Sequence, residues 1–128
     1  MDNIKKENKL ILIPKIERYV EYMLDIIFKL PRTEKFSIGT EFKTSLYKLI
    51  ENVIYLNKIS NEDFLENMKI LNKIDCILNL NRMYLRIMKK YMWIDEKKFG
   101  VAMNLIYEIG KILGGLVKYY GKKIKNKV

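Results

Sequence analysis

Apolar residues recur along this chain at alternating steps of three and four. The first such run is Ile13, Ile16, Val20, Met23, Ile27 and Leu30, a stripe on one face of a helix. Pro14 falls in its first turn, where a missing N–H costs little, so the spacing predicts a helix over 14–30 preceded by a frayed polar segment, Met1–Leu10. Leu30-Pro31 ends it, because proline restricts the residue before it and cannot continue the ladder. Ser37 offers an N-cap for the next helix, with Gly39 just inside. Phe42, Leu46, Leu49, Val53 and Leu56 carry that second helix, over 38–59. Ser60, with Asp63 completing a weak capping box and Ile59 and Phe64 as its staple, starts a third over 61–91. A cap at Asp95, stapled by Ile94 and Phe99, opens a fourth over 96–120. Its stripe is Phe99, Ala102, Ile106, Ile109, Leu113, Leu116 and Tyr120, with Gly121 as the C′ residue. No segment alternates with period two. The expected fold is all-α: one domain, 1–128, an up-down-up-down four-helix bundle with a disordered basic tail at 121–128.

The third helix departs from a simple bundle pattern. Met68, Leu71, Ile74, Leu78 and Leu85 share its core side, widened by Ile77, Tyr84 and Met88. A second apolar row, Cys76, Leu80, Met83 and Ile87, lies on a distinct face. A lone bundle buries one stripe per helix, so this row predicts a homo-oligomer interface, with scattered surface apolarity as the plainer alternative. Between the two faces runs a polar strip: Asp75, Asn79, Arg82, Arg86, Lys89 and Lys90. Arg82, Arg86 and Lys89 follow i, i+4, i+7 and direct their cations to one side, which suits phosphate. Salt bridges between subunits, to Asp75 or Glu66, would account for the same strip without a ligand.

Charge sharpens the partner. Lys and Arg number 25 against 15 acids, a net +10, which points to nucleic acid first and an anionic membrane second. Solubility charge is the plainer account of the same surplus. After Glu108 no acid occurs, whereas Lys111, Lys118, Lys122, Lys123, Lys125 and Lys127 follow. The candidate nucleic-acid contacts are therefore Arg82, Arg86, Lys89, Lys90, Lys111, Lys118, Lys122 and Lys123. Histidine is absent and cysteine occurs once, at Cys76. That removes the commonest general base and the Glu-x-x-His pairs of di-metal bundles, leaving Glu17, Glu21, Asp25, Glu51 and Asp75 without the partners such a site needs. No catalytic, metal or cofactor site is expected. The single thiol and the lack of a signal-like segment or an uninterrupted apolar run of membrane length suggest a cytoplasmic chain with no membrane role.

Gly110, Gly114 and Gly115 interrupt the fourth helix, at about 1 kcal/mol each against alanine. The pair four apart predicts close approach of a backbone or a bulky aromatic. Three segments together resemble a known family. They are Leu30-Pro31-Arg32-x-x-Lys35-Phe36-Ser37-Ile38-Gly39, then Trp93-Ile94-Asp95, then Asn104-Leu105-Ile106-Tyr107-Glu108-Ile109-Gly110-Lys111-x-Leu113-Gly114-Gly115. In order and spacing, from about Ile13 to Tyr120, they are similar to the accessory variability determinant proteins of diversity-generating retroelements. Leu116 stands where those proteins often carry a bulky aromatic. The resemblance implies a non-catalytic four-helix protomer in a homopentameric barrel. It also implies a basic surface that binds RNA, DNA and the reverse transcriptase of the same element. A bundle family encoded in intervening sequences of bacterial large-subunit rRNA genes is the nearest alternative, and a basic helical scaffold on an anionic membrane is another.

Overall fold

The computed structural model describes the backbone of residues 2–126 and the side chains of residues 8–126; Met1, Lys127 and Val128 of the expected termini lie outside them. Four long helices, α1 (Asp2–Phe28), α3 (Ile38–Lys58), α4 (Phe64–Lys90) and α5 (Glu96–Asn126), and a one-turn α2 (Arg32–Lys35) form a four-helix bundle. Each long helix packs on two others, in the cyclic order α1, α3, α4, α5. The expected stripes of α3 and α5 are buried apart from Phe99, which is partly covered, and on α1 Leu12, Tyr19 and Ile26 join the core while Ile13 is half-covered. By length and composition α5 would also suffice to cross a membrane; here its Ala102–Tyr120 stripe faces the other helices.

Several boundaries differ from the sequence expectation, each for a local reason. α1 begins at Asp2, so Pro14 lies inside it rather than in its first turn. Pro14 sits on the exposed face, where water can take the Leu10 carbonyl that loses its donor. The segment expected to fray is instead pinned by Lys9, which is 2% exposed. Its ammonium donates to the Ile59 carbonyl (3.2 Å), Asn61 Oδ1 (2.9 Å) and Asn67 Oδ1 (2.8 Å), and Asn57 Nδ2 donates to the Lys9 carbonyl at 3.0 Å. Tyr120 Oη, from α5, donates to the same Asn61 Oδ1 at 3.1 Å. One end of the bundle is thus knotted by residues of α1, α4, α5 and the turn after α3.

At the opposite end, Pro31 heads α2, and Ser37 occupies the N-cap position of α3. The Ser37 hydroxyl does not cap. It donates back to the Thr33 carbonyl at 2.9 Å. Gly39 packs tightly there: a Cβ would lie 3.2 Å from the Glu34 carbonyl oxygen and 3.2 Å from Ile27 Cγ2, so both neighbours would have to give by a few tenths of an ångström. The α4 cap is Asp63, not Ser60; its Oδ1 accepts from Glu66 N at 3.2 Å. The staple expected around Ser60 therefore does not form as such, although Ile59 and Phe64 both pack against the core. Asp95 caps α5 as expected, accepting from Lys98 N at 2.7 Å. α5 then runs through Gly121 to Asn126, so the described part of the basic tail is helical rather than disordered. Cationic side chains at a helix C-terminus offset the partial negative charge there, which favours this extension.

α4 ends in a six-residue hydrogen-bonded reversal. Trp93 N donates to the Met88 carbonyl and Met92 N to the Lys89 carbonyl, the pairing of a Schellman motif. Its C′ position, where glycine is usual, holds Met92 at φ 61°, a conformation that costs a side-chain-bearing residue about 1–2 kcal/mol.

Mid-bundle, three helices share one buried polar chain. Tyr19 Oη donates to Asn81 Oδ1 at 2.6 Å, Asn81 Nδ2 donates to Ser45 Oγ at 2.8 Å and to the Ile77 carbonyl at 3.0 Å, and Ser45 Oγ donates to the Phe42 carbonyl at 2.6 Å. Asn81→Ala strands the Tyr19 hydroxyl in the core and Tyr19→Phe strands Asn81 Oδ1, so each should lower unfolding free energy by about 1–3 kcal/mol; urea titration of both variants checks this. Burial pushes the Lys9 ammonium from 10.5 down to about 8. Between about pH 8 and 10.5 the unfolded chain therefore holds more protons at this site, and its contribution to stability should rise with pH, flat on either side. The difference in melting curves between the wild type and Lys9→Met, which removes the tyrosine background, measures that slope.

Candidate nucleic-acid interface

The site is assembled by α4 and α5, which run side by side in opposite directions. Lys89 near the end of α4 meets Glu96 at the start of α5 at 2.6 Å. At the far end, the Met68 Cε atom lies 3.6 Å from where a Gly121 Cβ would be. Midway, the Arg82 guanidinium lies over Gly110, with Nη2 only 3.3 Å from the position a Cβ would take. The expected close approach at Gly110 therefore exists, but what approaches is an arginine from α4, neither backbone nor aromatic. Gly114 and Gly115 have nothing within 4 Å of a Cβ, so no contact within the described chain explains them.

Arg82 is held in this position from its own helix, its Nη1 donating to Asn79 Oδ1. Burial drives the Tyr19 pKa up, with Arg82 opposing part of the rise, so this phenol stays protonated and remains the donor to Asn81. Arg86, exposed, follows one turn on. On α5, Lys111, Lys118 and Lys122 are spaced i, i+7, i+11 and lie within an arc of about 40°, opposite the buried stripe. The Lys111 ammonium sits 5.5 Å from the Tyr107 ring centre, and Tyr107 is 61% exposed. Because the helices are antiparallel and Arg82 lies over Gly110, the α4 set Lys90, Arg86 and Arg82 and the α5 set Lys111, Lys118 and Lys122 follow one another along the bundle axis as a track of roughly 30 Å.

Two of the expected contacts stand apart from this track. Lys89 is neutralised by Glu96 and lies 4.5 Å from the Phe99 ring centre. Lys123 points about 120° round the helix from Lys111 and lies over Tyr119 at 5.5 Å. Within the protomer no bridge joins the α4 strip to Asp75 or Glu66; among the described residues the ion pairs are Lys89–Glu96 and Lys15–Glu108. The Tyr–Lys pairs on α5 were not anticipated, though their i, i+4 spacing is visible in the sequence and is the kind of interleaving that binds nucleic acid.

The second apolar row of α4, Cys76, Leu80, Met83 and Ile87, is exposed. It occupies an arc of about 60° turned away from the core. No group of His, Cys, Asp or Glu among the described residues has the arrangement of a metal site. In comparisons with known proteins, a family model described as bAvd-like matches residues 10–120. No curated protein and no solved structure matches the chain.

Since Gly114 meets no neighbour, Gly114→Ala should raise the stability of the isolated protomer by about 0.5–1 kcal/mol through helix propensity alone. Chemical denaturation at a concentration where the protein is monomeric measures this; a loss of stability there would overturn the reading of Gly114 as an open helix position.

Proposed function

The chain belongs to the bAvd-like family, and on that premise we propose that it is a non-enzymatic, cytoplasmic accessory protein of a diversity-generating retroelement. In this reading the up-down-up-down bundle is one protomer of a homo-oligomer, a pentameric barrel, and it binds the element's reverse transcriptase together with template RNA and the cDNA made from it. The observation that carries the reading is the α4–α5 track, in which Arg82 and Arg86 continue into Lys111, Lys118 and Lys122 with no carboxylate paired to any of them among the described residues. Such a track contacts phosphates and positions a strand without reading its sequence. The exposed row Cys76, Leu80, Met83 and Ile87 supports association of protomers, since burying it removes apolar surface from water.

Binding through phosphate contacts predicts a steep salt dependence with little sequence preference, the slope of log K against log salt falling by about 0.7 for each single-strand contact removed. Arg82→Glu with Arg86→Glu, and separately Lys111→Glu with Lys118→Glu, should each weaken RNA retention by about tenfold or more while helicity and oligomer size stay unchanged. Filter binding across a salt series, with circular dichroism and light scattering as controls, reads this out. Salt-insensitive binding, or retention unchanged in both double variants, would overturn the assignment of the track. Met83→Glu should dissociate the oligomer in light scattering; a wild-type protein that is a stable monomer at micromolar concentration would overturn the role of the apolar row.

A further inference from the structure

The reversal after α4 presents an unusual combination. Met92 is held in the left-handed region, where glycine would relieve the strain, and yet its side chain is 87% exposed. Burial does not offset the cost of keeping methionine there. On either side of it Tyr91, 57% exposed, and Trp93 stack on each other, with ring centres 5.3 Å apart and planes 24° from parallel. Lys90 reaches over the Tyr91 ring at 5.9 Å. Next to the turn, a cleft of about 510 Å³ opens between it and the end of α1, lined by Ile26, Lys29, Met92, Trp93, Ile94 and Lys98 among others. Its two carboxylates are already engaged: Asp95 caps α5 and Glu96 pairs with Lys89. Lys29 and Lys98 are left as cations with no carboxylate partner among the described residues.

We propose that Tyr91-Met92-Trp93 is a stacking platform for unpaired bases of an RNA strand, with Lys90, Lys29 and Lys98 taking the flanking phosphates. Exposed Tyr91 and Met92 beside a half-buried Trp93, edged by lysines, offer what a single strand requires, because every base has a π-face and every linkage a negative charge. Methionine is also among the side chains that proteins insert between base steps. The cations favour this occupant over an apolar protein segment, which would gain nothing from three unpaired ammonium groups. The turn lies at the Lys90 end of the α4–α5 track, so a strand following that track arrives at it. The proposal rests on the RNA-binding reading, and adds a site that discriminates single from double strands.

Trp93 is the chain's only tryptophan, which separates the two claims experimentally. Full-length protein is titrated with a labelled oligouridylate and with a duplex of the same length, following probe anisotropy and tryptophan emission together. The expected result is quenching of Trp93 by the single strand but not by the duplex. Met92→Gly and Tyr91→Ala should each bind the single strand about tenfold more weakly, and Met92→Gly should melt at or above the wild-type temperature. Anisotropy that saturates with unchanged emission and unaffected variants would overturn the platform and leave the track standing. Equal quenching by duplex would overturn discrimination by unpaired bases. Variants that bind RNA normally but lose the reverse transcriptase would reassign the turn to protein docking. No binding of either probe at low salt would overturn both readings.

Discussion

Asn81 can be buried only if its carbonyl receives a donor and its amide finds acceptors, and apart from the Ile77 carbonyl one turn back the partners that meet this demand sit on other helices. Tyr19 on α1 donates to it and Ser45 on α3 accepts from it. A helix slipped by one turn would leave at least one of these groups unpaired in an apolar interior, which costs far more than a displaced leucine contact. Apolar stripes tell the helices to associate, but leucine and isoleucine tolerate several registers. The polar chain selects one of them. At the end of the bundle, the cage around Lys9 does the same for the start of α1, the α3–α4 turn and the end of α5.

That register has a consequence on the surface. With α4 and α5 set as they are, Arg82 falls opposite Gly110 and its guanidinium crosses from one helix to the other. A Cβ at position 110 would require the guanidinium to give by a few tenths of an ångström. The glycine therefore lets Arg82 lie close against α5, between the two cationic rows. The same alignment brings Lys89 to Glu96 and removes it from the free positive surface. Which of the eight candidate cations lie along one line thus follows from the α4–α5 register. It does not follow from the number of lysines.

The helices and their buried faces were largely legible in the pattern of apolar residues, because a period near 3.6 has few other physical meanings. Caps were less so. Asp95 reads correctly because Ile94 and Phe99 flank it, whereas Ser60 and Asp63 are both acceptable caps and only the path of the turn chooses between them. The start of α1 was not legible at all. Lys9 in a polar segment gives no sign that its ammonium will find three oxygen acceptors, two of which lie more than 50 residues away. Asn67 and Asn81 were likewise read past, since a polar residue on a helix is usually solvated.

From the sequence alone came the all-α class, four long apolar stripes, an unpartnered second row on α4 and a strongly basic C-terminal half. These are local properties: composition, and the angle each residue takes around its own helix axis. Tertiary structure alone decided that Arg82 meets Gly110, that Glu96 silences Lys89, and that Met92 stands exposed in a strained turn between two stacked aromatics. Each of these depends on where one helix ends or how far it is displaced along another. A shift of a few ångströms, invisible in the periodicity, changes which side chains face each other, and buried hydrogen bonds that tolerate no such shift are what settle it.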